Sequence, residues 1–209
     1  PIQFKILDES SSLNGPANRW LTVDTGSDGI ASVSWMLGKQ AGTNQNTLQV
    51  SSPPLEKSPY TISATVTHGP VSAKHSTITT TLDSVLADNV SQAQVTVALM
   101  DSFRNAVSGV SIIWQSSEEG IQFSPASSTS GPDGRSQVLV RSNRSGSKNI
   151  SAFVNPGAPF TLCCGRVTFR AGQPAKLRVF NGNGQTGNVG TALKDSLAVQ
   201  VLDILNNPI

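Results

Sequence analysis

Hydrophobic and polar residues alternate along two neighbouring stretches near the middle of the chain. Every second residue is valine or leucine in Val95–Met100, and valine, isoleucine or tryptophan in Val110–Trp114. An alternation with period two predicts β-strands that bury one face and turn the other towards solvent. The residues between them, Asp101–Gly109, include the Asp, Asn, Ser and Gly that are typical of turns. The expected buried positions are Val95, Val97, Leu99, Val110, Ile112 and Trp114, and the expected solvent-facing ones are Thr96, Ala98, Met100, Ser111 and Ile113.

Both ends of the chain repeat this pattern. Leu197–Asp203 has the alternation of the first strand, and Asn207–Ile209 matches the turn that follows it. At the other end, Ile2–Ile6 has the alternation of the second strand. The chain therefore begins and ends inside copies of its own middle.

A repeat of about 100 residues runs through the whole sequence. The turn at Asp28 returns at Asp133, 105 residues later, and the strand ending at Val50 returns with its end at Val154, 104 residues later. A period of this length is that of one β-sandwich domain and not of a short solenoid repeat. Further equivalent pairs are Pro59 and Pro159, Ala73 and Ala175, and Asp101 and Asp203. A strand is predicted after each of the two turns. The first contains Ala31, Val33 and Trp35, and the second contains Ser136, Val138 and Val140.

The repeat divides the chain into three predicted segments. Residues 1–69 would hold the later strands of one sandwich, residues 70–171 a complete sandwich, and residues 172–209 the opening strands of the next. The joints at 67–70 and 170–174 are short and contain Gly and Pro. This composition predicts tight, semi-rigid hinges.

Bulk composition agrees with an extracellular all-β protein. Charged residues make up 13% of the chain, against about 25% in ordinary domains. The net charge of +2 is too small to indicate a nucleic-acid partner. No apolar run approaches the roughly 20 residues of a membrane span. The first residue is Pro1, so we interpret the chain as processed or as an excerpt of a longer one.

Several stretches resemble bacterial Ig-like repeats of the invasin/intimin type. They are Gly182–Leu193 with the following strand and Asp203–Ile209, Trp35–Asn44, and Ser58–Val66. The resemblance implies an all-β fold of tandem Ig-like β-sandwiches, here one complete domain flanked by two partial ones. It also implies a place on large bacterial surface proteins, where such domains form stalks and sometimes adhesive tips.

Cys163 and Cys164 are the two cysteines of the chain. Neighbours on a strand point to opposite faces, and alignment with the earlier copy places Cys164 inward and Cys163 outward. The repeat offset grows by one residue after them, which predicts a β-bulge near Gly165. Four interpretations stay open: a small buried hydrophobe beside an exposed thiol, a disulfide between the neighbours, an interchain bridge through Cys163, and a metal-binding thiol pair.

We predict no catalytic, cofactor-binding or metal-ligating residues. Asp24–Gly29 resembles a calcium loop, but its third position is Gly26 and no acidic residue follows where the bidentate ligand belongs. The Asp-Gly that it shares with Gly131–Gly134 is what a tight turn requires. A calcium ion between domains is kept as an alternative, because joints collect carboxylates. No serine has the Gly-x-Ser-x-Gly context of a hydrolase nucleophile.

The division of the repeat has a structural consequence. A sandwich that lacks two strands leaves its apolar faces in contact with water. The burial free energy lost in this way can equal the typical net stability of a domain, about 5–15 kcal/mol. Residues 1–69 are therefore expected to fold poorly alone, while residues 172–209 carry the missing strands. The chain is either one period of a longer array or a subunit that supplies its tail to the next subunit. The predicted junction residues are Ile2, Phe4, Ile6, Leu197, Val199, Val201, Pro208 and Ile209.

The predicted function is mechanical. We expect a non-enzymatic, extracellular cell-surface protein whose identical repeats or subunits join head to tail in a stalk or filament. The alternative is an adhesin module that binds a host receptor or glycan through loops of residues 70–171; a cluster of exposed aromatic residues at one end of that sandwich would favour it.

Overall fold

The structure is a computed structural model that describes residues 1–53, 55–82, 84–155, 157 and 159–209. Every regular element in these ranges is a β-strand, which confirms the predicted all-β class. The chain forms two compact units: Pro1–Pro70 with Met100–Asn105, and Val71–Leu99 with Ala106–Ile209. The three-part division at residues 69 and 171 stays a prediction.

The first unit contains one four-stranded antiparallel sheet, ordered β3-β1-β5-β6, and a short pair, β2-β4. Its buried core consists of Phe4, Ile6, Leu13 and Leu48. The core is small because only the two-residue strands of the short pair accompany the larger sheet. The strands are β1 (Ile2–Ile6), β2 (Ser12–Leu13), β3 (Trp20–Val23), β4 (Trp35–Met36), β5 (Gly42–Ser51) and β6 (Tyr60–Val66).

The second unit contains two large sheets and a ribbon. The sheets are ordered β12-β10-β14-β15-β8 and β11-β13-β9-β7, and the ribbon is β16-β17. The strands are β7 (Thr77–Thr80), β8 (Ser84–Leu86), β9 (Ala93–Ala98), β10 (Ser111–Gln115), β11 (Ile121–Ser124), β12 (Ser127–Thr129), β13 (Arg135–Ser142), β14 (Gly146–Asn155), β15 (Phe160–Arg170), β16 (Lys176–Asn181) and β17 (Ala198–Leu202).

The inward side chains of the two large sheets form one core, which includes Val97, Ile112, Trp114, Val140 and Phe169. Val95, Val97, Leu99, Val110, Ile112 and Trp114 are all buried as predicted. Thr96 and Ala98 are buried as well, so their predicted exposure is wrong. These side chains are short, and β9 is an inner strand flanked by β13 and β7.

The sheets of the two units show the repeat directly. The order β3-β1-β5-β6 matches β12-β10-β14-β15, and the pairing of Phe4 with Val50 matches that of Ile112 with Val154. The pair β2-β4 corresponds in the same way to β11-β13. Within the described residues of the first unit, no strand corresponds to β7 or β9.

The strand predicted at Ala31, Val33 and Trp35 is shorter than expected, because no described strand of the first unit takes the place of β9 beside it. Residues 30–34, which include Ala31 and Val33, are in no strand, and β4 begins only at Trp35. Their burial still alternates, since Ala31, Val33 and Trp35 pack against the core of the first unit. In the second unit the equivalent β13 lies between β11 and β9. Alternation alone does not make a strand, because a ladder also needs a hydrogen-bonding partner.

Candidate functional site: the repeat junction

The ribbon β16-β17 has an exposed apolar face. Leu177 lies opposite Val201, and Val179 lies opposite Val199; Leu197 continues the same face because alternate residues point the same way. The exposed fractions of these side chains are 73% for Leu177, 57% for Val179, 72% for Leu197, 66% for Val199 and 38% for Val201. Contiguous apolar faces of this kind are typical of interaction surfaces.

The same positions are buried one repeat earlier. Val95, Val97 and Leu99 precede Leu197, Val199 and Val201 by 102 residues, and each is 0% exposed. They are covered because β9 faces the opposite sheet across the core. The ribbon therefore has apolar residues at positions that are buried one repeat earlier, and no sheet in the described part of the second unit covers them.

The sheet of the first unit also has core-facing side chains that are exposed to solvent. Ile62 lies in one cross-strand row with Leu48 and the buried Ile6, so its side chain points towards the core side of the sheet. It is nevertheless 41% exposed, whereas the equivalent Leu162 of β15 is 8% exposed. Tyr60, which points the same way two residues earlier on β6, is exposed too. This sheet turns core-facing side chains towards solvent.

A tight loop, Asp203–Asn207, follows the ribbon. The Asp203 carboxylate accepts hydrogen bonds from the backbone N–H groups of Gly172 (2.9 Å), Leu205 (2.9 Å) and Asn207 (2.8 Å), and from Asn207 Nδ2 (2.9 Å). Asn207 Oδ1 accepts a hydrogen bond from the Ser145 N–H (2.8 Å). The loop is thereby tied to the segment before β16 and to the start of β14.

The same loop occurs one repeat earlier, at Asp101–Asn105 in the first unit. The Asp101 carboxylate accepts a hydrogen bond from the Gly69 N–H (2.8 Å), and Asn105 Oδ1 accepts one from the Ala41 N–H (2.9 Å). Asp101 also accepts hydrogen bonds from the N–H of Phe103 (2.8 Å) and Asn105 (2.9 Å) and from Asn105 Nδ2 (2.8 Å). Since both copies make this set of contacts, the contacts belong to the repeat.

We expect Asp203→Asn to lower the free energy of unfolding at pH 7 by about 2 kcal/mol. Burial raises the pKa of Asp203, but hydrogen bonds, first those from Gly172 and Asn207, outweigh burial and lower the pKa from 3.8 to about 2. A carboxylate with a depressed pKa contributes stability that is fully present above pH 3.8 and lost as the pH falls towards 2, about 2 kcal/mol for this shift. An amide cannot replace it, because its Nδ2 would face N–H donors.

Chemical denaturation between pH 2 and 7 measures this effect. In the Asp203→Asn variant, the free energy of unfolding should fall less between pH 4 and pH 2 than it does in the parent chain. Asp195→Asn makes the same charge change at an exposed position and should leave the curve unchanged. Equal pH curves for Asp203→Asn and the parent chain would contradict the assignment.

The cysteine pair lies in a bulge. The β14–β15 register passes from Ile150–Gly165 to Ala152–Leu162, so that Cys163 and Cys164 together oppose Ser151, and the bulge predicted near Gly165 is confirmed. The prediction that Cys164 points inward is wrong, because both cysteines are exposed and Gly165 takes the buried position. The structure pairs the two sulfur atoms as a disulfide; their interchain and metal-binding roles stay predictions.

The predicted junction residues fall into two groups. Phe4 and Ile6 are buried in the first unit with Ile2 against them, whereas Leu197, Val199, Val201, Pro208 and Ile209 of the second unit are exposed. Sequence reasoning missed Leu177 and Val179 of the ribbon and the exposed Ile62. Their alignment with β7 and β15 could have identified them. The junction role of the whole set stays a prediction.

The supposed calcium loop has the geometry of a turn. Gly29 donates its N–H to Gly26 O (3.0 Å), as Gly134 does to Gly131 O (2.9 Å), and both Gly29 and Gly134 have positive φ (76° and 72°). The predicted equivalence of the two turns is thus confirmed. Among the described residues, no group of three or more His, Cys, Asp or Glu side chains could hold a metal ion.

The two large sheets of the second unit pack as an Ig-like β-sandwich, and the four-stranded sheet of the first unit has the strand order of one of them. Residues 75–161 match the model of the bacterial Ig-like domain family, group 1. The matched residues lie in the sandwich of the second unit, and the match confirms the resemblance seen in the sequence. Comparison with curated proteins gives no match. In the described part of the chain, no helix has the length and apolar character needed to cross a bilayer.

Three solved structures are similar to the chain. FdeC, described as an Escherichia coli adhesin, is 21% identical with a TM-score of 0.60, over 99% of this chain and 63% of FdeC. InvD of Yersinia pseudotuberculosis is 17% identical with a TM-score of 0.58, over 100% of this chain and 61% of InvD. Invasin, described as a bacterial integrin-binding protein, is 16% identical with a TM-score of 0.53, over 100% of this chain and 40% of invasin. At these identities the likeness establishes the fold, and the chain spans 40–63% of the length of those chains.

Proposed function

We propose that this chain is a structural part of a bacterial surface protein, in which Ig-like sandwiches follow one another in an elongated stalk or filament. An adjoining repeat or subunit completes the partial sandwich at each end. The function is non-enzymatic and extracellular. The observation that supports it is the contrast between Val199, which is 66% exposed, and its repeat equivalent Val97, which is 0% exposed. The exposure of Val199 at a position that is buried in the complete sandwich is explained if another copy covers it.

The alternative is an adhesin module that binds a host receptor or glycan. The likeness to invasin and FdeC, described as an integrin-binding protein and an adhesin, favours this alternative. The distribution of aromatic residues favours the stalk. Among the described residues between 70 and 171, Phe103 is the only exposed aromatic residue. The Lys39 ammonium lies 5.3 Å from the centre of its ring. The described part of this range therefore has no cluster of exposed aromatic side chains that could serve as a binding platform.

Electron microscopy of the 209-residue chain over a range of concentrations tests the proposed function. We expect rods whose length grows by a constant increment for each added chain, because each copy has both partial ends. A dilute sample serves as the control and should contain single, short particles. Compact globes at every concentration would contradict the stalk and favour the binding module.

A further inference from the structure

We propose that β17 pairs with residues 30–36 of a second copy of this chain, antiparallel and in one defined register. The inference rests on the proposed function, in which an adjoining copy completes the partial sandwiches. It adds the identity of the partner segment and the residue-by-residue pairing.

The template for the pairing is the β9–β13 ladder of the second unit. There Val97 lies opposite Ser136 and Val95 opposite Val138, and the Leu99 N–H donates to Gly134 O (2.8 Å) where β13 begins. Shifting each strand by its own repeat offset gives the intermolecular register. Val199 comes opposite Ala31, Leu197 opposite Val33, and the Val201 N–H donates to Gly29 O.

The receiving segment is already arranged for this pairing. Residues 30–34 belong to no ladder, yet Ala31 and Val33 pack against the core of the first unit as strand residues would. A Cβ added to Gly134 would meet Leu99 O at 2.5 Å and Val107 N at 3.0 Å, whereas a Cβ on Gly29 would meet nothing within 4 Å. The space beside Gly29 is thus open where a neighbouring strand lies beside Gly134.

The donating segment has the matching conformation. The Ile209 N–H donates to Val201 O (3.2 Å), as the Val107 N–H donates to Leu99 O (3.0 Å) one repeat earlier. Asn206 and Arg104 have nearly equal positive φ values, 68° and 67°. Val201 and Ile209 are therefore the residues that would fill the space beside Gly29 of the second copy. A second copy is the partner that fits, because its segment repeats the one that covers β9.

Disulfide trapping between two separately purified variants tests the register. The pair Gln137–Thr96 of the template, on the sheet face that alternates with the core-facing residues, corresponds to Ser32 and Ala198. Ser32→Cys and Ala198→Cys are prepared in full chains in which Cys163 and Cys164 are replaced by serine, then mixed and mildly oxidised. Directly opposite residues on antiparallel strands are about 4.5–5.5 Å apart between Cα atoms, within the range of a disulfide. We expect a covalent dimer on non-reducing gels.

The matched control is Ser34→Cys mixed with Ala198→Cys. It moves one cysteine by two residues on the same face, to a diagonal position at about 7–8 Å, which is too far for a disulfide. Absence of the Ser32–Ala198 dimer, or equal yield from the control, would overturn the register. If the same particles are still elongated in the microscope, only the register fails; if they are compact, the proposed function fails as well.

Discussion

Replacing Val199 by glutamate is expected to weaken association between chains by about a thousand-fold or more. The side chain is 66% exposed in the separate chain, so the substitution should leave the sandwich of the second unit folded. In the assembly the carboxylate would be buried without a partner, which costs several kcal/mol. The valine burial of about 1.5–3 kcal/mol is also lost. A total of about 4 kcal/mol corresponds to a factor of about a thousand in Kd.

Sedimentation analysis over a range of concentrations measures this loss, and Gln200→Glu is the matched control. Gln200 neighbours Val199 on β17 and points to the opposite face, where its Oε1 accepts a hydrogen bond from Arg178 (2.6 Å). Glutamate there adds the same charge and keeps an acceptor for Arg178. Because this carboxylate is paired with Arg178, it should weaken association much less than Val199→Glu does. Equal weakening by the two variants would show that charge, and not burial of the Val199 face, controls association.

Replacing Gly134 by alanine is expected to destabilise the second unit by at least about 3 kcal/mol. A non-glycine residue at φ 72° costs about 1–2 kcal/mol. The added Cβ would also lie 2.5 Å from Leu99 O, so that the backbones of β9 and β13 must separate and the ladder between them weaken. Thermal and chemical denaturation of the dilute chain measure the loss.

Gly29→Ala is the paired substitution in the equivalent turn. Its φ of 76° carries the same conformational cost, but nothing lies within 4 Å of the added Cβ. We expect a loss of only about 1–2 kcal/mol in dilute solution, together with a clear loss of chain association. A Gly29→Ala chain that associates like the parent would contradict the packing of a neighbouring β17 beside this turn. Equal destabilisation by the two alanines would contradict the open space at Gly29.

The sequence by itself determined the strands, the turns and the period of this protein. Alternation in Val95–Leu99 and in Ile2–Ile6 identified strands, and the Asp-Gly of Gly131–Gly134 identified a turn, because side-chain direction and positive φ are local properties. The spacing of Asp101 and Asp203 showed that these local patterns recur. That the two ends of the chain complete one sandwich stays a prediction from the same spacing.

The tertiary structure decided which partners those local elements have. β9 and β10 are successive strands, yet they lie in different sheets. Residues 30–34 have the alternation of a strand, yet they are in none, because hydrogen-bonded pairing depends on residues far away in the chain. The bulge at Cys163 and Cys164 changes which face each residue takes, so Cys164 is exposed where alternation predicts burial. Only the folded chain shows that Val97 is covered and Val199 is not, since burial depends on what lies across the core.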